Sequence, residues 1–224
     1  MRSTFLDLRQ SADHGALTSL LPKADVFIES FSGRSIEKLG FGAEEVAAKR
    51  PGNIYLSLRC YGWEGPWRDR GGFDMEGVSV SGYTMTEGGH GKPEFSPSYG
   101  MSEGAAALPA FPPTLVLNDY IAGYLGAAGI MAALRRRAKE GGSYHVRVSL
   151  TRAAMWYQSL GIFDRTDFVP GPQQAMVPPE TIIRQTPYGE IRRLAPLVKL
   201  AKTPGRWREP LVIVRGSDKP VWES

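Results

Sequence analysis

Two stretches, Ala24-Asp25-Val26-Phe27-Ile28-Glu29-Ser30 and Ile54-Tyr55-Leu56-Ser57-Leu58-Arg59, decide the architecture. The first is a compact apolar run bounded by Pro22-Lys23 and Phe31-Ser32-Gly33, the signature of a buried strand. The second reads as the next strand. Between them Ser35 to Leu39 and Ala43 to Lys49 form two short helical pieces separated by Gly40-Phe41-Gly42. A strand, a helical connection and a second strand make a βαβ unit, which implies a parallel sheet.

Upstream, Phe5-Leu6-Asp7-Leu8 reads as a further short strand, followed by a helix from Ser11 to Leu21 with Leu17, Leu20 and Leu21 on one face. Downstream, Tyr61 to Phe73 is a loop rich in Gly, Trp and Arg, and Asp74 to Thr84 a short helix of small residues. Glu87 to Pro113 is a polar stretch dense in Gly and Pro, too long for an ordinary connection. A long helix is expected from Tyr120 to Lys139, closed by Gly141-Gly142. Tyr144 to Leu150 alternates as a strand does, and Thr151 to Leu160 follows as a helix. Beyond Asp164 prolines are frequent and only Arg192 to Leu200 reads as a weak strand.

The bulk numbers narrow the function. With 224 residues and 42% hydrophobic content, the chain supports one substantial domain and an appendage. Its 27 Lys and Arg against 23 Asp and Glu give a formal +4, which suits an anionic ligand but not a nucleic-acid footprint. The single cysteine, Cys60, excludes an intramolecular disulfide and reads as a buried strand-end thiol of a reducing, cytoplasmic setting. His14, His90 and His145 are too scattered for a metal site. No GxGxxG follows a strand, which argues against a nicotinamide site. Leu115 to Leu134 has a bilayer-spanning length but holds Asn118-Asp119 at its start, so it is expected to be a buried helix and not a membrane span. Arg135-Arg136-Arg137 with Lys139 reads as a solvated helix end.

Asp119 is the carboxylate of most interest. One reading makes Asp119, or Asn118 before it, a helix N-cap worth about 1 kcal/mol. The other makes it a nucleophile kept ionised by the helix macrodipole, with nearby backbone donors for an oxyanion. The small residues Ala122, Gly123, Gly126, Ala127 and Gly129 that follow call for close packing against a neighbour or ligand.

Asn118-Asp119-Tyr120-Ile121-Ala122-Gly123, Ala127 to Leu134 and Gly141 to Leu150 together resemble the catalytic core of the family III CoA-transferases, the CaiB/BaiF group. Ala24 to Phe31 looks like that family's "ADVVVENF" strand, and Leu39-Gly40-Phe41-Gly42 like its "LGLG" turn. Tyr61-Gly62 with Gly65 to Asp74 looks like "FGQTGPYRDRPGFD", and Gly189 to Leu200 like its C-terminal "GPVRLLGSPVKLS". Order and spacing agree apart from an insertion in Glu87 to Pro113.

The resemblance implies an α/β fold: a partial Rossmann-like parallel sheet with flanking helices, a long central helix and an extended C-terminal segment. It assigns 1–163 to the core of the large domain, with the first Rossmann strand missing. It assigns 164–224 to a linker and the C-terminal segment, the small domain being largely absent. The chemistry it implies moves CoA from an acyl-CoA to a carboxylic acid. Asp119 attacks the thioester carbonyl and forms a mixed anhydride, with CoA as substrate and no tightly bound cofactor. Ser30, Phe31, Lys38, Phe73, Asp74 and Met75 fall where the family contacts CoA. Ser30 replaces the usual Asn, and Lys38 an Arg, keeping the charge without the bidentate fork. Trp63 and Trp67 either wall that pocket or pack within the loop.

The family's racemase branch carries a His before the Asp of its loop motif. Phe73 stands there and moves no proton, which disfavours α-methylacyl-CoA racemisation. Members run near twice this length and dimerise as interlocked rings. The partner is therefore expected to be a second copy or a complementing chain, and the alternative is a catalytically silent relative that keeps CoA binding or a dimer surface.

Overall fold

The computed structural model describes residues 2–88, 109–111, 116–161 and 178–222. The chain gathers into two compact units, Leu21–Asp167 and Met1–Leu20 with Phe168–Ser224. This grouping places residues 1–20 with the C-terminal segment, where the sequence division at 163 put them with the core.

The larger unit is built on a three-stranded parallel sheet, β1 (Val26–Glu29), β2 (Ile54–Arg59) and β3 (Tyr144–Ser149), in that spatial order. Helices α2 (Ser35–Lys38) and α3 (Ala43–Lys49) connect β1 to β2. Helices α4 (Asp74–Val80), α5 (Tyr83–Gly88) and α6 (Leu117–Glu140) lie between β2 and β3, and α7 (Leu150–Gln158) follows β3 directly. The α/β fold, parallel sheet and long helix are those read from the sequence. β1 departs from a buried strand: Ile28 is 63% exposed, because β2 is its one partner among the described residues.

Alternation along β2 and β3 sorts the two faces. Leu56, Val146 and Val148 join Ala122, Leu150 and Ala153 in one apolar cluster against α6 and α7. Glycines let α6 come down onto that face. A Cβ at Gly126 would lie 3.0 Å from Leu56 Cδ2, and one at Gly129 2.6 Å from Val146 Cγ1. Gly126 and Gly129 therefore serve the sheet, as expected of close packing, whereas Gly123 and Ala127 face solvent. At its far end α6 is tied down by Arg137, whose Nη1 donates to Gly52 O at 2.7 Å and to Asp25 Oδ1 at 3.2 Å. That residue is thus half-buried and bonded, not part of a freely solvated end. The other side of the sheet carries Tyr55 and Ser57 of β2 with His145 and Arg147 of β3, and packs partly against α3 through the buried Phe41 and Val46.

In the smaller unit, α1 (Ser11–Leu20) forms as expected, but Phe5 to Leu8 is not a strand. Asp7 accepts from the Arg9 backbone and guanidinium, a local bonding pattern that competes with a ladder. Only Thr4 makes a bridge, to Ser217. The C-terminal segment holds an antiparallel hairpin, β4 (Thr181–Thr186) and β5 (Gly189–Leu194). The strand expected at Arg192 to Leu200 is thus shifted toward the N-terminus; Pro196 has no N–H for a ladder.

Candidate active site

The carboxyl ends of parallel strands are where an open α/β sheet binds ligands. Here a run of adjoining cavities extends from the open face of the sheet, where Tyr55, Ser57 and His145 line it, to the loop after β2, and takes in Ser30, Phe31, Lys38 and Met75. A basin of about 700 Å³ is lined by Lys38 with Arg34, Arg59, Arg68 and Arg147. Glu37 ties part of this wall together, accepting from Arg34 Nε and from Arg59 Nη2 at 2.8 Å. Trp63 sits between Arg59 and Arg147, each guanidinium about 5.5 Å from its ring. Trp63 is thus held between two cations and also walls the basin.

Arg59 and Arg68 are shared with a small cleft of about 40 Å³ that holds Ser30 and Phe31 beside Cys60, Arg70, Gly71 and Gly72. The two loops meet closely: a Cβ at Gly71 would lie 3.4 Å from Ser32 Cβ, and one at Gly72 only 2.7 Å from Cys60 Sγ. Phe31 is 56% exposed, and its N–H donates to Glu29 Oε2 at 2.9 Å. Arg70 leads on to a shallow hollow of about 330 Å³ formed with Met75, Tyr61, Trp67 and Phe111. Arginines at 59, 68 and 70 thus link all three cavities. Lys38 stands out in the sequence, whereas Arg68 and Arg70 are signalled only by the Trp-Arg-Asp-Arg run of the loop and Arg59 only by its place at the end of a strand.

Helix α4 begins beside the hollow. The Phe73 N–H donates to Glu76 Oε2 at 2.9 Å, while the Phe73 ring is 78% exposed and Met75 also faces outward. Asp74 turns the other way and is 3% exposed. Its Oδ2 accepts the backbone N–H of Asp119 at 2.9 Å.

Asp119 itself lies in the first turn of α6. Neither it nor Asn118 is the N-cap; Val116 occupies that position without a side-chain cap bond. The helix starts earlier than the sequence pattern indicated, and the open N–H at Asp119 finds its acceptor in another helix. The Asp119 side chain remains accessible to solvent. Its carboxyl is pushed above the ordinary carboxylate value, first by burial and then by the charge of Asp74. The macrodipole was expected to favour the ionised form; burial and Asp74 act in the opposite direction. Cys60 is buried, and that burial pushes its thiol up, consistent with a packed thiol.

Ser57 and His145 form a second polar pair inside the basin, Oγ to Nε2 at 2.8 Å. The imidazole is pushed down to about 4, by burial first and then by Arg147 and Arg59. Although the residue as a whole is exposed, its ring packs edge-on to Tyr55 at 5.2 Å, which accounts for the burial. Among the described residues no group of three His, Cys, Asp or Glu is placed to hold a metal ion, and no helix is long and apolar enough to cross a membrane.

Residues 1–189 match the model of CoA-transferase family III. The chain is 32% identical over 167 residues to the acetyl-coenzyme A transferase nodX of Hypoxylon pulicicidum, covering 72% of this chain and 26% of that protein. It is 32% identical over 152 residues to the succinyl-CoA–L-malate CoA-transferase alpha subunit of Chloroflexus aurantiacus, covering 68% and 32%. Among solved structures, the Mycobacterium tuberculosis protein Rv3272 superposes with a TM-score of 0.60 at 28% identity, over 71% of this chain and 40% of that one. The chain therefore spans well under half the length of these relatives, and by its sequence match and its fold it belongs to CoA-transferase family III.

Proposed function

We propose that this chain carries the acyl-transfer chemistry of a CoA-transferase, with Asp119 as nucleophile. The carboxylate adds to the thioester carbonyl of an acyl-CoA, the carbon–sulfur bond breaks, and CoA leaves as the thiolate, leaving an aspartyl mixed anhydride. The acceptor carboxylate then takes CoA through further enzyme-bound acyl intermediates, so that no net hydrolysis occurs. The observation that carries this reading is an accessible carboxylate whose backbone is anchored from another helix and whose basicity is raised by burial and a neighbouring charge. A more basic carboxylate is a stronger nucleophile.

Ser30, Phe31, Lys38 and Met75, joined by the arginines between them, supply a cationic path for the phosphates of CoA. Asp74, which the resemblance also placed there, faces inward onto Asp119 and is not part of that path. Phe73 offers no proton to an α-carbon, which favours transfer over racemisation. A complementing chain or second copy is the partner we propose. Support comes from a β1 with one sheet neighbour among the described residues and from a relative named as an alpha subunit.

A second reading is a catalytically silent relative that keeps CoA binding or a dimer surface. Incubation with a panel of acyl-CoAs and hydroxylamine, with and without candidate partner chains, separates the two. An Asp119 hydroxamate found by peptide mass spectrometry and absent in Asp119→Ala supports the enzyme. Absence of any adduct across the panel sinks it.

A further inference from the structure

Asp74 is the least expected feature of the site. Its carboxylate is buried at the first turn of α4, with Oδ2 on the Asp119 N–H and Oδ1 without a partner among the described residues. Burying a carboxylate behind one hydrogen bond costs stability, so packing alone does not explain it.

The surroundings show how tightly the contact is built. Gly77 lies one turn beyond Asp74 on the same face of α4, and a Cβ there would fall 2.8 Å from Asn118 Nδ2 and 3.1 Å from Leu150 Cβ. Asn118, the residue before Asp119, is fully buried. The absence of a side chain at position 77 is what lets α4 approach the first turn of α6 closely enough for Asp74 to reach. From α7, the Tyr157 hydroxyl is pushed up to about 12, by burial and then by the charge of Asp74. The titratable groups that face Asp74 and Asp119 include Tyr157 on α7, which feels the charge of Asp74 and of Glu87 on α5, and Cys60 just after β2, which feels the charge of Asp119 and of Glu76 on α4. None of them is a cation that neutralises the pair.

We infer that Asp74 is a positioning residue for the nucleophile: by accepting the Asp119 backbone N–H it fixes the first turn of α6 and so the place where the Asp119 carboxylate meets the acyl carbonyl. The inference rests on Asp119 being that nucleophile. Asp74 touches neither substrate nor reacting atoms; it acts through the backbone of its neighbour. Its charge adds a second effect, since a like charge beside Asp119 destabilises the ionised carboxylate and is relieved as the anhydride forms and that charge disappears.

Two variants of the full chain test this, Asp74→Ala and Asp74→Asn, the second of which keeps an acceptor. Amide exchange at Asp119 is read by NMR, alongside the rate of hydroxylamine-trapped adduct and the Kd for CoA. In Asp74→Ala we expect Asp119 amide exchange to speed up, and adduct formation to slow, each by about tenfold or more, with CoA affinity and the protection of Gly126 unchanged. Asp74→Asn is expected to keep most of the protection, with the Asp119 amide proton shifted upfield as a charged acceptor becomes neutral. Where the alanine variant does not fold, that upfield shift is the deciding measurement.

Unchanged Asp119 exchange in Asp74→Ala, an unmoved amide shift in Asp74→Asn, or an equal loss of protection along all of α6 in both variants would overturn the inference. A wild-type chain that forms no adduct defeats the nucleophile reading instead, and the exchange result still decides whether Asp74 anchors Asp119.

Discussion

The Asp74 carboxylate accepts the backbone N–H of Asp119 at 2.9 Å, across 45 positions of sequence. This bond joins the loop motif that ends in Phe73-Asp74 to the helix that carries the candidate nucleophile. It also sets the electrostatics of the site, because it brings two carboxylates together.

Stability should report that strain. Asp119 is raised above its unfolded value of 3.8, so the folded state holds the proton more tightly than the unfolded chain does. Stability therefore falls as pH rises through the carboxylate range, and the deficit persists at neutral pH. Asp119→Asn is expected to melt at a higher temperature than wild type at neutral pH, with the gain shrinking as pH is lowered toward about 4. A variant that is less stable at neutral pH, or a gain independent of pH, contradicts this account.

The glycines of α6 should divide by what they face. Gly129→Ala forces a methyl to within 2.6 Å of Cγ1 of the β-branched Val146, whose side chain is stiff about χ1. Overpacking of about 1–3 kcal/mol exceeds the roughly 1 kcal/mol that alanine gains in a helix, so the variant is destabilised. Gly123 has nothing within 4 Å of its Cβ position, and Gly123→Ala should stabilise by up to about 1 kcal/mol. Urea denaturation of the two variants decides it; equal effects would mean that α6 does not press on the sheet as described.

His145 should titrate far below an ordinary imidazole. Burial, then Arg147 and Arg59, lower it from 6.5 to about 4, so the ring is neutral in the folded state at neutral pH. The linked stability is fully present above the unfolded value and is lost as pH falls from 6.5 toward 4. NMR titration of the ring protons gives the midpoint directly, and Arg147→Ala should raise it. A midpoint near 6.5 in the wild type would show that the ring is not held against Ser57 and Tyr55.

Lys38 lines the basin as an exposed cation. Lys38→Ala is expected to weaken CoA binding about tenfold, the scale of one charge-assisted contact. Lys38→Arg should bind at least as well as wild type, because it restores a planar fork for phosphate. Calorimetry with free CoA checks both, and an unchanged Kd for Lys38→Ala would remove this residue from the binding path.

Much of this was legible in the chain itself. The apolar runs at Val26–Glu29, Ile54–Arg59 and Tyr144–Ser149 became strands because contiguous or alternating apolar residues have few other ways to bury themselves. The ordered motifs around Asp119 pointed to the family. Three features were not legible. The Phe5 to Leu8 run lost its strand to local bonding by Asp7, Ile28 stayed exposed on a strand with one partner among the described residues, and Asp119 was not a cap. Only the exposure of Ile28 depends on which strands arrive beside it; the other two turn on a bond between Asp7 and Arg9 and on a helix start at Val116 that the apolar pattern does not mark.

The same line divides the site. By itself Asp119 reads in the sequence as an ordinary helix cap, and only the ordered motifs around it mark it as the candidate nucleophile. Local patterning determines the strands, the helices and the glycine spacing, because these follow from each residue's neighbours along the chain. Tertiary structure alone decided that Asp74 faces inward onto Asp119 and that Arg59, Arg68 and Arg70 link the cavities around Lys38 and Met75. Hydrogen bonds and charge effects act over a few ångströms of space, and sequence separation carries no record of that distance until the chain has folded.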